Sequence, residues 1–322
     1  MKDPGSIRFN SEFGEEVYNG LTSSQKYLSS AFFYDQKGDA LFQQIMELPE
    51  YYLTRCEYEI LENNSNSFMQ LFYSEKGFDL FELGAGDGKK TKLLLRAFLE
   101  ANMNFSYLPI DISENALQGL SSNLTKELPD LRLHPIQGTY FGSLTQIASF
   151  NSRKKVILFL GSNIGNLPPA TAVSFLQKTR SAMENQDLLF IGFDLKKDPA
   201  IILRAYNDPQ GVTAAFNKNI LARINRELNA NFDVDAFEHW PMYDPQLGEA
   251  RSYLISQKEQ QVLIKDLDLL VQFRQWESIH TEISRKFDAP SIVEMAEDSG
   301  LKVAGFYSDA EDYFRTYIFR KI

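Results

Sequence analysis

The stretch Asp79-Leu80-Phe81-Glu82-Leu83-Gly84-Ala85-Gly86-Asp87-Gly88-Lys89-Lys90-Thr91 constrains the fold more than any other part of the chain. Leu80, Phe81 and Leu83 have the apolar character of a buried strand end, and Thr91-Lys92-Leu93-Leu94-Leu95 opens a helix. A strand that runs through a glycine bend into a helix N-terminus is how a parallel αβ sheet receives a nucleotide-like ligand. Glycine there permits unusual φ angles and a close approach of backbone to ligand. A strand–helix turn that merely needs glycine is the plainer reading of the loop taken alone. Lys89 and Lys90 follow Gly88, so the third glycine of a dinucleotide fingerprint is missing. Lys90-Thr91 also lacks the preceding spaced glycines of a triphosphate loop. What fits is an adenosine ligand without a pyrophosphate, S-adenosylmethionine being the commonest.

The order of elements around that turn supports an open αβ sheet. Asp79–Leu83 reads as strand one, followed by a helix from Lys90 to about Ala101. Phe105–Asp111 is strand two, with Ser113 capping the next helix, and Leu131–Ile136 is strand three. Asp111 ends strand two, where an acid can bond both ribose hydroxyls of a nucleoside. Lys155–Leu160 is apolar throughout and belongs in the sheet centre. It empties into Gly161-Ser162-Asn163-Ile164-Gly165-Asn166, and the carboxyl end of a central strand is where such sheets place reacting groups. Nothing local distinguishes a chemical role for the two asparagines from a turn or cap role. Asp187–Asp194 is strand five.

Before this sheet, Lys37-Gly38 marks a turn and Asp39 is placed to cap a helix carrying Leu41, Phe42, Ile45 and Met46. Pro49 breaks that helix, and Thr54 is placed to cap one helix running from Tyr58 through Phe72. After Lys196 the βα alternation stops. Helices are expected over Ile201–Tyr206 and Phe216–Leu228, then a pair of strands at Ala250–Ser256 and Val262–Ile264. The αβ pattern resumes with a helix from Pro290, stopped at Gly300, and strands at Leu301–Tyr307 and Tyr313–Phe319. The linker between those strands is too short for a helical crossover, so the last strand is antiparallel. The fold class is therefore α/β, a Rossmann-like seven-stranded sheet of the class I methyltransferase type, with a second α+β domain inserted between strand five and the last helix. The expected domains are residues 1–60 as an N-terminal helical arm of the substrate domain, 61–195 with 287–322 as the cofactor domain, and 196–286 as the insertion.

Composition narrows the function. The 322-residue chain carries 43 acidic and 33 basic residues, a formal charge of −10, with no basic stripe. Such a field disfavours nucleic acid or an anionic membrane as partner. One cysteine and three histidines leave no disulfide and little for a metal centre. No basic n-region leads an apolar run, and no stretch approaches membrane-spanning length, so a cytoplasmic enzyme acting on a small molecule is expected. Oligomeric state is not written in these features; a monomer is the default.

Several long strings in separate parts of the chain carry a resemblance. They are Phe33-Tyr34-Asp35, Leu48-Pro49-Glu50-Tyr51-Tyr52, Glu82-Leu83-Gly84-Ala85-Gly86, Phe159 to Leu167, Arg204-Ala205-Tyr206-Asn207-Asp208-Pro209, Phe232 to Phe237 and Thr281 to Phe287. In these the chain resembles the S-adenosylmethionine-dependent histidine Nα-methyltransferases of ergothioneine biosynthesis, from about Ala31 to the C-terminus. The resemblance implies that Gly84, Gly86, Lys90, Asp111, Gly138 and Thr139 bind S-adenosylmethionine, with Asp111 on the ribose. It implies that Tyr51, Asn166, Tyr206, Glu282 and Ser284 bind L-histidine, Asn166 and Tyr206 at its carboxylate and Glu282 and Ser284 at its imidazole. Tyr34 and Tyr51 would stand near the reacting amine as the catalytic tyrosines. The implied product is Nα,Nα,Nα-trimethylhistidine (hercynine); the alternative is a methyltransferase of the same fold acting on another amino acid or small amine. Two departures stand out. Members of the family usually carry Gly-Asp where this chain has Gly138-Thr139, so adenine recognition is expected to rest on backbone amides, the Thr139 hydroxyl and nearby aromatics. Around Arg251-Ser252-Tyr253 some members carry a methionine against the histidine ring, and a serine or tyrosine there makes that surface wider or more polar.

Overall fold

The computed structural model describes residues 9–322; residues 1–8 of the expected N-terminal arm lie outside the described residues. The chain divides into two compact units. One comprises the described residues of Met1–Tyr51 with Pro199–Asp244 and Glu249–Ile283; the other comprises Tyr52–Asp198, Pro245–Gly248 and Ser284–Ile322.

The second unit is built on a seven-stranded sheet. Its strands are β1 (Phe78–Leu83), β2 (Phe105–Asp111), β3 (Ile136–Gln137), β4 (Lys154–Phe159), β5 (Leu188–Asp194), β11 (Leu301–Ser308) and β12 (Phe314–Lys321), in the order β11-β12-β5-β4-β1-β2-β3. β1 pairs in parallel with both β2 and β4, whereas β12 is antiparallel to both β5 and β11. Every residue of β1 and β5 is buried, the pattern of strands covered on both faces. The order reverses between β1 and β4, so the turns after these two strands flank the crevice where open αβ sheets bind ligands. Strand three is shorter than its apolar run suggested. Leu133 makes a single bridge to Tyr107 before Pro135, which has no N–H to give a ladder, and only Ile136 and Gln137 pair further.

The helices of this unit follow their caps. α5 (Thr91–Glu100) begins three residues after Gly88, and α6 (Glu114–Glu127) is capped by Ser113, whose Oγ accepts from Ala116 N at 3.1 Å. α11 (Ala289–Asp298) opens with a capping box between Asp288 and Ser291. The stretch expected as one helix from Thr54 is two. α3 (Tyr52–Asn63) ends and α4 (Ser65–Phe72) begins at Asn64, whose side-chain amide donates to Ile60 O at 2.8 Å.

In the first unit, α1 (Glu12–Thr22), α2 (Gln36–Glu47), α9 (Pro199–Tyr206) and α10 (Val212–Glu227) accompany a three-stranded sheet. That sheet is β10 (Ser278–Arg285), β7 (Glu249–Ser256) and β6 (Phe237–Asp244), with β7 central. β7 does not pair with the Val262–Ile264 strand; β8 (Gln260–Ile264) instead forms a hairpin with β9 (Leu269–Phe273). β6 was hidden in the sequence by Pro241, which an edge strand tolerates. The cap of α2 is Asp35 rather than Asp39. Its Oδ1 accepts from Gly38 N at 2.7 Å, and Gly38 lies inside the first helical turn because a side chain there would overlap the Phe33 carbonyl. Among the described residues no helix is long and apolar enough to cross a membrane.

Candidate active site

Asp111 organises the carboxyl ends of β1, β2 and β3. Its Oδ2 accepts from Gly86 N and its Oδ1 from Ser113 N, both at 2.9 Å. Its carbonyl accepts from Gly138 N at 3.0 Å, and the preceding Ile110 carbonyl accepts from Gly84 N at 2.8 Å. The carboxylate is thereby oriented by backbone donors, and each oxygen retains acceptor capacity for a diol. Gly84 and Gly86 have φ of 75° and 55°, angles that L side chains rarely adopt. They differ in surroundings. A Cβ on Gly84 would lie 2.9 Å from the Tyr140 phenol oxygen and 3.2 Å from Asn163 Nδ2, whereas a Cβ on Gly86 would meet nothing within 4 Å. Gly84 is thus a packing glycine, and Gly86 faces open space above the sheet edge.

Gly138 has its own close neighbour, since a Cβ there would stand 2.6 Å from Ser143 Oγ. Thr139 caps α7 (Tyr140–Ser149), its Oγ1 accepting from Gly142 N at 3.1 Å. The capping bond turns the threonine hydroxyl into part of the helix start, and its proton is what remains to offer a ring nitrogen. Tyr140 follows directly and lines the Gly84 turn. Burial, with the nearby Asp111 charge, pushes its phenol well above the usual range, so it stays a neutral donor.

Behind the glycine turn lies a group of acids that sequence reading passed over. Glu57 on α3 is completely buried; it pairs with Lys90 and accepts from Gly161 N at 2.9 Å on each oxygen. Lys90, whose role was read from resemblance, is therefore held by a carboxylate that also pins the turn after β4. Glu82 of β1 accepts from Thr91 Oγ1 at 2.7 Å and from the Tyr107 phenol. Burial raises the Glu82 carboxyl to about 7. A signal for Glu57 was present: it is an acid within the stripe Leu53, Cys56, Ile60 and Leu61, all buried.

The remaining site residues fall in both units. In the second, Asn166 ends the short turn Asn163–Asn166. Gly165 in that turn lies against the Arg285 backbone, with room for no side chain. Ser284 is buried, and its Oγ accepts from Lys286 Nζ at 2.8 Å. In the first unit, Tyr34 and Tyr51 both pack edge-on to Phe42, with ring centroids 5.7 and 6.3 Å away. Tyr34 also packs on Phe216. Tyr206 is the last residue of α9 and buried, and Glu282 is half-buried on β10. Two further hydroxyls in this unit bear on the site: Thr213, to which sequence reading gave no role, and Ser252, already marked there as a departure from the family. Ser252 Oγ on β7 is buried without a protein hydrogen bond, whereas Thr213 on α10 lies against the Asp208 carboxylate, to which its backbone N–H donates at 2.8 Å and its hydroxyl also donates. They are linked through Asn217 Nδ2, which donates to Thr213 O at 3.2 Å, and Thr281 Oγ1, which donates to Asn217 Oδ1 at 2.7 Å and to Ser252 O at 3.1 Å.

A family model described as histidine-specific methyltransferase, SAM-dependent, matches residues 13–321. The chain belongs to this family. It is 37% identical over 295 residues to a histidine N-alpha-methyltransferase of Mycolicibacterium smegmatis, covering 91% of this chain and 90% of that one. It is 33% identical over 314 residues to ergothioneine biosynthesis protein 1 of Schizosaccharomyces pombe, covering 95% of this chain but 40% of that longer protein. A 4-dimethylallyltryptophan N-methyltransferase of Claviceps purpurea is 24% identical over 312 residues, covering 89% of this chain and 88% of that one. The residues at the ends of β1 and β2 fit the family's S-adenosylmethionine: the space over Gly86 admits a ligand, and Asp111 offers an oriented carboxylate. The sheet topology, with an antiparallel last strand and an inserted α+β region, is that of a class I methyltransferase.

Proposed function

We infer that the protein transfers methyl groups from S-adenosylmethionine to the α-amino nitrogen of L-histidine, up to the trimethylated product hercynine. The observation that carries the acceptor assignment is on β10. Glu282 and Ser284 are two residues apart on one strand, so their side chains project to the same side. A carboxylate that accepts and a hydroxyl that donates match the two nitrogens of a neutral imidazole. A site built for such bonds rejects an apolar ring, which leaves its polar groups unpaired. The buried Ser252 hydroxyl supports a polar acceptor in the same sense.

Bound S-adenosylmethionine supplies an electrophilic methyl on its sulfonium. Asp111 holds the ribose, the open space over Gly86 leaves room for the methionine moiety, and Lys90 stands beside it. Gly138 and Thr139 lie against the adenine. Asn166 and Tyr206 hold the histidine carboxylate through an amide and a phenol, which keeps a second positive charge away from the sulfonium. An α-amino group at a peptide N-terminus titrates at about 8, and the adjacent carboxylate of a free amino acid raises it further, so histidine arrives as the ammonium and must lose that proton before it reacts. The chain's task is then to align that amine and exclude water. The Tyr34 and Tyr51 phenols accept its N–H bonds and pass the proton outward. Each methylated amine remains nucleophilic until quaternary, which permits three rounds.

Mass spectrometry of products from a panel of amino acids tests this reading. Trimethylation of histidine in preference to tryptophan or leucine is expected. Preferential methylation of another amino acid with histidine untouched would overturn the acceptor assignment while leaving the family membership in place.

A further inference from the structure

Asn163 stands in the turn after β4, between two glycines that leave room for it. A Cβ on Gly84 would lie 3.2 Å from its Nδ2, and a Cβ on Gly161 would lie 3.6 Å from the same atom. The turn that presents it is held from both ends. Gly161 N donates to Glu57, Ser162 Oγ accepts from Asp194 N at 2.9 Å, and Ser162 O accepts from Gly165 N at 2.9 Å. Asp194 is itself a fully buried carboxylate, bonded by the Tyr52 phenol and paired with Lys286. Gly161 and Ser162 are both left-handed, with φ of 73° and 58°. A serine in that conformation is strained, and such strain persists only where the surroundings enforce it. Asn163 is thus presented by a fixed turn, yet its amide makes no hydrogen bond to any described residue. An asparagine serving as a turn or cap residue bonds the neighbouring backbone. This one does not.

The same glycine meets a second polar atom of this kind. The Tyr140 phenol oxygen lies 2.9 Å from where a Gly84 Cβ would be. Its ring packs on Phe159 and Phe175, with centroids 4.9 and 6.2 Å away, which holds the hydroxyl at the turn. No described residue hydrogen-bonds to that hydroxyl; it feels only burial and the Asp111 charge. A tyrosine hydroxyl so enclosed ordinarily finds a partner. Both side chains are half-buried, so they border a crevice rather than the sealed core. The strand order indicates which part of a ligand reaches them. Asp111 ends β2, whereas Gly84 follows β1 and Asn163 follows β4, on the far side of β1. A cofactor with its ribose at Asp111 and its adenine toward Gly138 and Thr139 extends its methionine half toward β4.

We propose that Asn163 and Tyr140 bind the amino-acid head of the cofactor's methionine half, and so distinguish S-adenosylmethionine from a nucleoside without that head. This deepens, and rests on, the placement of the ribose at Asp111. The head carries a carboxylate and an ammonium. The phenol O–H and the amide NH2 donate to the carboxylate, and the amide oxygen accepts from the ammonium. A bound ligand excludes water from both groups, and a polar group then left unpaired costs affinity. A nucleoside lacking the head offers neither group a partner.

Titration calorimetry of the full chain with two ligands tests this. S-adenosylhomocysteine carries the head; methylthioadenosine keeps the adenine, ribose and sulfur but lacks it. Tyr140→Phe removes one oxygen and keeps the ring packing, and Asn163→Ala removes the amide. Each is expected to weaken S-adenosylhomocysteine about tenfold, the scale of one hydrogen bond to a charged group. Each should leave methylthioadenosine within about twofold of its wild-type affinity. Urea unfolding of unliganded Tyr140→Phe should match the wild type, because the lost hydroxyl bonds nothing in the protein. Equal losses for the two ligands would place these groups on the adenosine and overturn the proposal. So would wild-type S-adenosylhomocysteine affinity in both variants, or a Tyr140→Phe that loses stability together with both ligands. Should Asn163→Ala not fold, Tyr140→Phe decides alone. Asp111→Asn separates this inference from the reading beneath it, since it should weaken both ligands. If it weakens neither, the ribose assignment falls and this inference with it.

Discussion

Gly86 donates its backbone N–H to the Asp111 carboxylate at 2.9 Å, joining the turn after β1 to the end of β2. The two residues form one device. The glycine leaves open space above its turn, and its backbone amide aims the carboxylate that we propose takes the cofactor's ribose.

Asp111→Asn tests the carboxylate. The asparagine oxygen can still accept one backbone N–H while its NH2 faces the other, so the protein is expected to fold with a modest loss in thermal midpoint. A ribose diol bonded to an anion loses charge-assisted bonds worth about 1.5–3 kcal/mol each. Calorimetry should show S-adenosylhomocysteine binding weakened at least about tenfold. Unchanged affinity would remove Asp111 from the cofactor site.

The two glycines separate packing from ligand space. Both need a left-handed backbone, which costs an alanine about 1–2 kcal/mol. Gly84→Ala adds a contact at 2.9 Å with the Tyr140 phenol and should lose about 2–3 kcal/mol in urea unfolding. Gly86→Ala meets no atom within 4 Å, so it should lose only about 1–2 kcal/mol yet bind S-adenosylhomocysteine markedly more weakly. Wild-type affinity in Gly86→Ala would show that the open space is not the ligand's.

These contrasts mark where sequence was informative. The strands β1, β2, β4 and β5 announce themselves because burial on both faces demands unbroken apolar runs, and Asp111 is legible as an acid at a strand end. Glu57, Asp194 and Lys286 were not, because their meaning lies in partners far along the chain: Glu57 with Gly161, Asp194 with Tyr52 and Lys286. Helix starts failed for a related reason. Gly38 reads as a turn from composition, but its need for space comes from the Phe33 carbonyl. β6 was missed because Pro241 argues against a strand until the strand is known to lie at an edge.

Glu57→Gln probes the acid behind the turn. Glu57 is completely buried, and its partner Lys90 retains some exposure. Removing one member of a buried pair typically costs about 3–5 kcal/mol, and Lys90's partial exposure places the expected loss nearer about 2–3 kcal/mol. Urea unfolding measures it. Because Glu57 also fixes Gly161 N, S-adenosylhomocysteine affinity should fall as well. A variant as stable as the wild type would mean the pair contributes nothing net.

Glu82 gives the stability a predictable pH dependence. Burial raises its carboxyl from 4.5 to about 7, against the opposing effects of Thr91, Tyr107 and Lys90. The folded state therefore holds this proton more tightly than the unfolded chain. Its contribution to stability is fully present below the unfolded value and is lost as pH rises through about 7. A gap of this size corresponds to about 3 kcal/mol between pH of about 4.5 and about 8. Glu82→Gln carries no charge to bury, and its amide can keep one bond to Thr91 Oγ1 and one to the Tyr107 oxygen. Urea unfolding across that range should show the wild type losing stability relative to Glu82→Gln as pH rises. Parallel stability curves for the two proteins would mean that Glu82 takes up no proton in the folded state.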